Sequence, residues 1–303
     1  MLSSQADQPE PRWNSDVSTM SYLLPSAVFL LVLSVGMSLN FTEVAENWRR
    51  LNWSAWFRLL LATFIVPPML ALLGAKLFHL TLGETAGLFL VGSAPGAPLL
   101  TRNMARKGFD MHLAASYQLW AALMVPLMIP LLVAVAGRLY HRDIWIPPTV
   151  LLWEIGEKQL LPLTIGMVSA RFAPELARKA QPVLNLLGNV VLTVMILLML
   201  IKSGSALKSL SPLVPLAALL IAAGSIGVIR IIGFSDRLVG QTFAICNANR
   251  HVGLALLLSG RYLHAPQALP VVACYAVVAP LVMIAYVKLF PIQGRSAEMT
   301  TTT

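Results

Sequence analysis

Four polar side chains lie close together inside an apolar segment that runs from about residue 237 to residue 263: Asn247, Asn249, Arg250 and His251. An arginine near the centre of a bilayer costs about 2.5–3.5 kcal/mol on insertion scales, so it is retained where it faces protein, water or a ligand. A guanidinium can attract an anion, an imidazole can carry a proton, and side-chain amides can satisfy the backbone groups of an unwound helix. This segment is therefore the main candidate for a functional site.

A second apolar segment, from residue 82 to residue 100, is interrupted by the sequence Gly92-Ser-Ala-Pro-Gly-Ala-Pro98. Pro95 lacks an amide hydrogen and Gly96 is conformationally free, so a helix is expected to break there. Two interrupted helices, one in each half of a membrane protein, are typical of a transporter's binding site. We therefore expect Pro95 and Gly96 to belong to the same site as the polar segment.

The composition is that of a polytopic membrane protein. Of 303 residues, 57% are hydrophobic and only 12% are charged, and the mean hydropathy is +0.74, whereas about a quarter of the residues in a soluble domain are charged. Cys246 and Cys274 lie in apolar segments, so no disulfide framework is predicted. The net charge of +9 does not indicate nucleic-acid binding, because the basic residues lie in short loops between apolar segments, a pattern that orients membrane proteins.

The apolar segments predict an all-α fold with about nine membrane spans, since a span needs about 20 apolar residues. The predicted spans are residues 22–41, 54–78, 83–101, 111–137, 147–170, 182–202, 211–233, 238–262 and 266–290. Of the 22 basic residues, thirteen lie on one side of the predicted membrane and seven lie on the other side. The remaining two, Lys158 and Arg250, lie within predicted spans. The basic side is expected to be cytoplasmic, which places the N-terminus outside and the C-terminus inside.

The predicted spans divide into two halves. Residues 22–137 hold four predicted spans and residues 147–290 hold five. A polar tail, residues 1–21, precedes them and lacks the features of a signal peptide. A second polar tail, residues 291–303, follows them. Each interrupted span is second from last in its half. This arrangement favours an inverted repeat that has lost its first helix.

Three charged residues lie in the fifth predicted span: Glu154, Glu157 and Lys158. Glu154 and Lys158 are four residues apart and can pair on one helix face, which would leave Glu157 to pair with Arg250. The other interpretation is that the span begins later and that these charges are solvated at its mouth.

At the level of motifs, the chain resembles the bile acid:sodium symporter family. Gly36-Met-Ser-Leu-Asn40 resembles the family's Gly-Met-Gly-Leu, and Ala94-Pro-Gly-Ala97 with Met104-Ala-Arg106 and Gly108 resembles its Pro-Gly-Gly…Leu-Ala-Arg-Gly. Asn249-Arg-His-Val-Gly-Leu-Ala255 resembles its Met-Gln-Asn-Ser-Gly-Leu-Ala. The resemblance implies a core domain with two discontinuous helices that cross, and a panel domain beside it. It also implies access to the solute from either side by relative motion of the two domains.

The chain departs from this family at the sodium site. The resemblance implies a glutamate and, four residues later, a glutamine on the second crossing helix, and these positions hold Cys246 and Arg250. Another glutamine, on the helix before the first crossing, aligns with Ala62. Sodium prefers several hard oxygen ligands, so we expect no sodium coupling.

Several roles remain open for the polar residues. Arg250 is a substrate-anion anchor, a built-in replacement for sodium, or one half of a structural ion pair. His251 is either a proton-coupling group or a histidine bonded to a carbonyl on a helix face, and Asn247 and Asn249 fit an unwound segment.

The sequence therefore predicts a secondary transporter of a small organic solute, an organic anion, that works by alternating access in a bacterial inner membrane. Protonation of Glu157 would couple transport to a proton gradient. The alternative function is a non-transporting membrane sensor or scaffold that retains the fold. The sequence holds no nucleophile–base set, phosphate-binding loop or metal-ligand spacing, so no enzyme, metal site or cofactor is expected.

Overall fold

The computed structural model of the protein describes residues 14–291, except residues 40–41, 43–45, 47, 50–51, 97–107, 141–147, 203–207, 264 and 266. These described residues form helices and no β-strand, apart from one isolated bridge. The helices that matter here are α1 (Asn14–Ser38), α2 (Trp53–Leu77), α3 (Leu82–Ser93), α4 (Met111–Tyr140), α5 (148–172), α6 (Pro174–Lys202), α7 (Val214–Ile232), α8 (Arg237–Ala248), α9 (Val252–Tyr262) and α10 (Ala268–Leu289).

The apolar helices confirm that the chain is an all-α membrane protein. Within the described residues, five helices are long and apolar enough to cross a bilayer by themselves: α2, α4, α6, α7 and α10. Two shorter apolar helices cover Tyr22–Ser38 and Val252–Arg261. The count of nine spans stays a prediction, and part of the third predicted span, residues 97–101, lies outside the described residues.

Two helices contain a π turn, in which hydrogen bonds span five residues instead of four. In α2 the π turn covers Leu61–Ile65 and precedes Pro67 and Pro68; in α5 it covers Gly156–Leu160 and precedes Pro162. Proline has no amide hydrogen and its ring collides with the carbonyl four residues earlier, so the helix adapts on the N-terminal side of each proline. Each π turn leaves backbone carbonyls available for other partners.

The helices pack in two sets. Helices α1, α5 and α6 pack against one another, and α7 packs against α2, α8 and α10, while α3 packs against α2 and α10. The contact between α1 and α5 is made by backbone, because a Cβ on Gly36 would overlap the Leu163 carbonyl oxygen and one on Gly166 would overlap the Leu33 carbonyl oxygen. The glycine of the Gly-Met-Ser-Leu motif thus allows a close helix crossing.

Candidate functional site

The two interruptions meet in the structure. Helix α3 ends at Ser93, and α8 and α9 are separated by three residues, 249–251. The His251 amide donates to the Ala94 carbonyl oxygen at 2.7 Å, and Pro95 and Arg250 form an isolated antiparallel bridge. Gly96 has φ +82°, a backbone conformation that favours glycine. The predicted helix breaks at both positions are therefore confirmed, and the breaks contact each other.

Arg250 lies at this contact between residues 94–96 and residues 249–251, which is called the crossing below, and it is only 1% exposed. Its Nη1 donates to the Thr63 carbonyl oxygen at 2.9 Å, and its Nη2 donates to Asn247 Oδ1 at 3.1 Å and to Ser225 Oγ at 3.4 Å. Among the described residues, no carboxylate lies within ion-pair distance of the guanidinium. The side chain therefore joins α2, α7 and α8 through neutral oxygens, and its charge has no acidic partner in the part of the chain that is described.

Asn247 is the centre of the same hydrogen-bond network. Its Nδ2 donates to the carbonyl oxygens of Ala62 at 3.1 Å and Ser225 at 2.9 Å. Its Oδ1 accepts from the Tyr117 hydroxyl at 3.2 Å in addition to Arg250. All four hydrogen-bonding positions of the amide are thus used. The prediction that Asn247 lies in an unwound segment is wrong, since it belongs to the last turn of α8.

Two of the carbonyl acceptors of this network, those of Ala62 and Thr63, are made available by the two prolines of α2. In the π turn, the amide of Val66 donates to the carbonyl five residues earlier, and Pro67 and Pro68 have no amide hydrogen. The Ala62 and Thr63 carbonyl oxygens therefore lack the amide donors that they would have in a regular helix. Side chains of the interrupted helix satisfy these oxygens instead, which a buried backbone group requires in a membrane.

His251 stabilises the start of α9. Its Nδ1 accepts from the Leu254 amide at 3.1 Å, so the side chain caps the helix N-terminus. Its Nε2 has no hydrogen-bond partner among the described residues. Asn249 is extended, with φ −83° and ψ 96°, as predicted for an unwound position. On the other side of the break, the Tyr275 hydroxyl donates to the Ala248 carbonyl oxygen at 2.8 Å and so caps the end of α8.

A cavity of about 350 Å³ adjoins the crossing. It lies between α1 and α6 on one side and α9 and α10 on the other, and most of its lining is apolar. The polar residues in the lining include Asn189, Thr193, Asn249, Arg250 and His251. Its volume is near the lower end of the range for small-molecule sites, so it fits a small organic solute with an apolar part.

The charged residues of α5 form other ion pairs than the predicted ones. Glu157 binds Lys158 at 2.8 Å with its side chain 47% exposed, and Glu154 binds Arg261 of α9 at 2.9 Å with its side chain 10% exposed. The predicted Glu154–Lys158 pair is wrong, since Lys158 binds Glu157 and Glu154 binds Arg261 instead. The π turn that begins at Gly156 also changes the spacing of side chains along α5, so the four-residue rule of a regular helix does not apply there. The Glu157–Arg250 pair is also wrong, since the Arg250 guanidinium bonds to α2, α7 and α8 instead. This removes the basis for proton coupling through that pair.

Glu157→Gln is accordingly expected to change the free energy of unfolding by less than about 1 kcal/mol, because exposed ion pairs contribute little. Combined with Arg250→Gln in a double-mutant cycle of thermal melting, the two effects should add within about 0.5 kcal/mol. A coupling energy of several kcal/mol would show instead that the acid and the guanidinium interact.

Other members of the site were not predicted from sequence. They are Thr63, Ser225, Tyr117 and Tyr275, of which the first two contribute oxygen acceptors and the last two contribute hydroxyl donors. The paired prolines at positions 67 and 68 were the available signal, since they indicate freed carbonyls one turn earlier. Nothing in the local sequence distinguishes either tyrosine from an ordinary apolar contact.

Comparison with known proteins supplies the family context. The model of the sodium bile acid symporter family matches residues 25–210. Among curated proteins, "Probable sodium/metabolite cotransporter BASS3, chloroplastic" from Arabidopsis thaliana is 25% identical over 256 residues, which cover 82% of this chain and 58% of that protein. The chain thus spans less than two thirds of the relative's length. Both descriptions refer to transport and neither to an enzymatic reaction.

Proposed function

The chain belongs to the sodium bile acid symporter family, and from that membership and the site we propose that it is a secondary transporter of a small organic anion that does not use sodium. The observation that carries the proposal is the buried Arg250 beside the 350 Å³ cavity. In this proposal, α1, α5 and α6 form a panel that moves against the remaining helices in alternating access.

The charge of Arg250 supports an anionic solute. Its Nη atoms bond to oxygens of α2, α7 and α8, so the guanidinium attracts a solute by its field and not by a free pair of donors. Such attraction is strong inside a protein because the medium screens charge less than water does. The apolar lining suits the organic part of the solute, while residues such as Asn249 offer polar contacts.

The same contacts support independence from sodium. Carbonyl and amide oxygens are ligands that suit hard cations, and here such oxygens from three helices accept from Arg250 and Asn247. The guanidinium thus provides the positive charge and the links between helices that a bound sodium ion would provide. Cys246, at the position where the resemblance implies a glutamate, supplies no carboxylate.

In proteoliposomes, uptake of a labelled carboxylate that fits the cavity is expected to be the same in sodium and in potassium chloride. Suitable probes are mono- and dicarboxylates of about three to six carbon atoms, and protein-free liposomes provide the background. A saturable increase with sodium in uptake or in melting temperature would contradict the proposal of independence. If no organic anion were taken up, and none changed the melting temperature, a sensor or scaffold would be the better interpretation.

We also propose that the chain crosses a bacterial inner membrane nine times, as an inverted repeat of four and five helices with the N-terminus outside. The excess of basic residues on one side supports this orientation. A small epitope tag after residue 2 should react with antibody on intact spheroplasts, whereas a tag at residue 303 should react only after permeabilisation. Detection of both tags on the same side would contradict an odd number of spans.

A further inference from the structure

A second cavity, of about 490 Å³, lies where α1, α5 and α6 meet, and none of the residues of the crossing lines it. Its position follows from the glycine contact between α1 and α5. The three residues that directly follow Gly36 at the end of α1, Met37 to Leu39, line one wall, and residues that follow Gly166 on α5, such as Met167 and Arg171, line another. The two helices touch at the glycines and diverge beyond them, and the first turns of α6 close the resulting wedge.

The wedge carries positive charge. Arg171 in the last turn of α5 and Arg178 in the second turn of α6 both line it, and both are exposed. Arg178 Nη2 lies 2.8 Å from Glu175 Oε2, but the two side chains are 75% and 74% exposed, and an ion pair in that setting is weak. Both guanidinium groups are therefore able to turn toward an anion in the wedge.

Large apolar side chains flank the same helix ends. Val168 is 48% exposed, Phe172 is 79% exposed and Leu176 is 65% exposed. In a membrane protein, such side chains face lipid acyl chains. An anion held by Arg171 and Arg178 would thus have hydrocarbon beside it, which is the environment of a phospholipid and not of a soluble ion.

We propose that this wedge binds the phosphate of an anionic phospholipid, whose acyl chains lie along the exposed faces of α5 and α6. Basic pockets between membrane helices on the cytoplasmic side are known sites for anionic headgroups, and the cytoplasmic leaflet is the negatively charged one. The wedge lies at the basic side of the chain, which the positive-inside rule assigns to that leaflet. The site involves no residue of the crossing, so it does not depend on the proposed transport.

The test is a titration of the purified full-length protein in maltoside detergent with phosphatidylglycerol, followed by native mass spectrometry and by thermal melting. The variant Arg171→Gln/Arg178→Gln removes both cations, and Lys179→Gln is the matched control because Lys179 is an exposed cation on the same helix that does not line the wedge. All these side chains are exposed, so the variants are expected to fold, which their melting temperature without lipid verifies.

Phosphatidylglycerol is expected to bind saturably and to raise the melting temperature of the wild type and of Lys179→Gln equally, whereas the double variant should bind at least about tenfold more weakly. Phosphatidylcholine and inorganic phosphate should have little effect. Equal affinity of the double variant and the control would overturn the proposed position of the site. A saturable shift with inorganic phosphate as large as with the lipid would overturn the assignment of a lipid and indicate a soluble anion.

Discussion

Arg250→Gln is expected to reduce uptake of an organic anion by roughly thirtyfold at low solute concentration, and this is the largest functional effect that we expect from one substitution. At an effective dielectric constant of about 20, two unit charges about 8 Å apart interact by roughly 2 kcal/mol, and each 1.4 kcal/mol corresponds to a tenfold change in affinity. The fold is expected to persist, because loss of the three hydrogen bonds of Arg250 is offset in part by removal of a charge that is costly to bury.

The variant Arg250→Lys separates the effect of the positive charge from the effect of the hydrogen-bond geometry of the guanidinium. Lysine keeps the positive charge but lacks the planar fork that bonds at once to Thr63 and Asn247, so this variant should melt at a lower temperature and retain more uptake than Arg250→Gln. The measurements are initial uptake rates in proteoliposomes beside thermal melting. Unchanged uptake in Arg250→Gln would remove the functional role assigned to the guanidinium.

Asn247→Leu is expected to lower the free energy of unfolding by about 2–4 kcal/mol, the largest effect on stability that we expect in the site. Leucine has a similar volume but makes none of the four hydrogen bonds of the amide. Hydrogen bonds between membrane helices contribute about 0.6 kcal/mol on average and up to about 1.7 kcal/mol, and buried groups left unpaired add to the loss.

Asn185→Leu is the control for that substitution. Asn185 is also an asparagine in a helix, but its described hydrogen bond is to its neighbour Asn189 on the same helix, at 2.8 Å, so the effect of this change should stay below about 1 kcal/mol. Thermal melting in one detergent compares the two variants. Equal losses would mean that the network around Asn247 does not connect the helices energetically.

The helix breaks were predictable because they depend on local chemistry. Pro95 and Gly96 disfavour a helix wherever they occur, and consecutive polar residues at 249–251 are incompatible with a lipid-facing helix. That the two breaks would meet depended on the resemblance and on the general architecture of transporters, and the hydrogen bond between His251 and Ala94 confirms their contact.

The partners of Arg250 were not predictable from residue types. A carboxylate is the obvious counter-charge for an arginine, so residue types alone favour Glu157. A backbone oxygen is present at every position, so the sequence does not indicate which of them binds Arg250. The π turn of α5 adds a further difficulty, because a face assigned from the spacing of Glu154 and Lys158 assumes a regular helix. Pro162 marked the irregularity, although its effect on the charged residues before it required the structure.

The fixed position of the guanidinium has a consequence for the energy source of transport. A sodium ion crosses the membrane and brings the free energy of its gradient with it, whereas a cation that is covalently part of the chain contributes no such free energy over a complete cycle. On the proposed function, a solute with one net negative charge therefore responds to its own concentration and to the membrane potential. That potential is worth about 2.3 kcal/mol per elementary charge at 100 mV, which drives the anion out of a cell with a negative interior until its outside concentration is roughly fiftyfold higher.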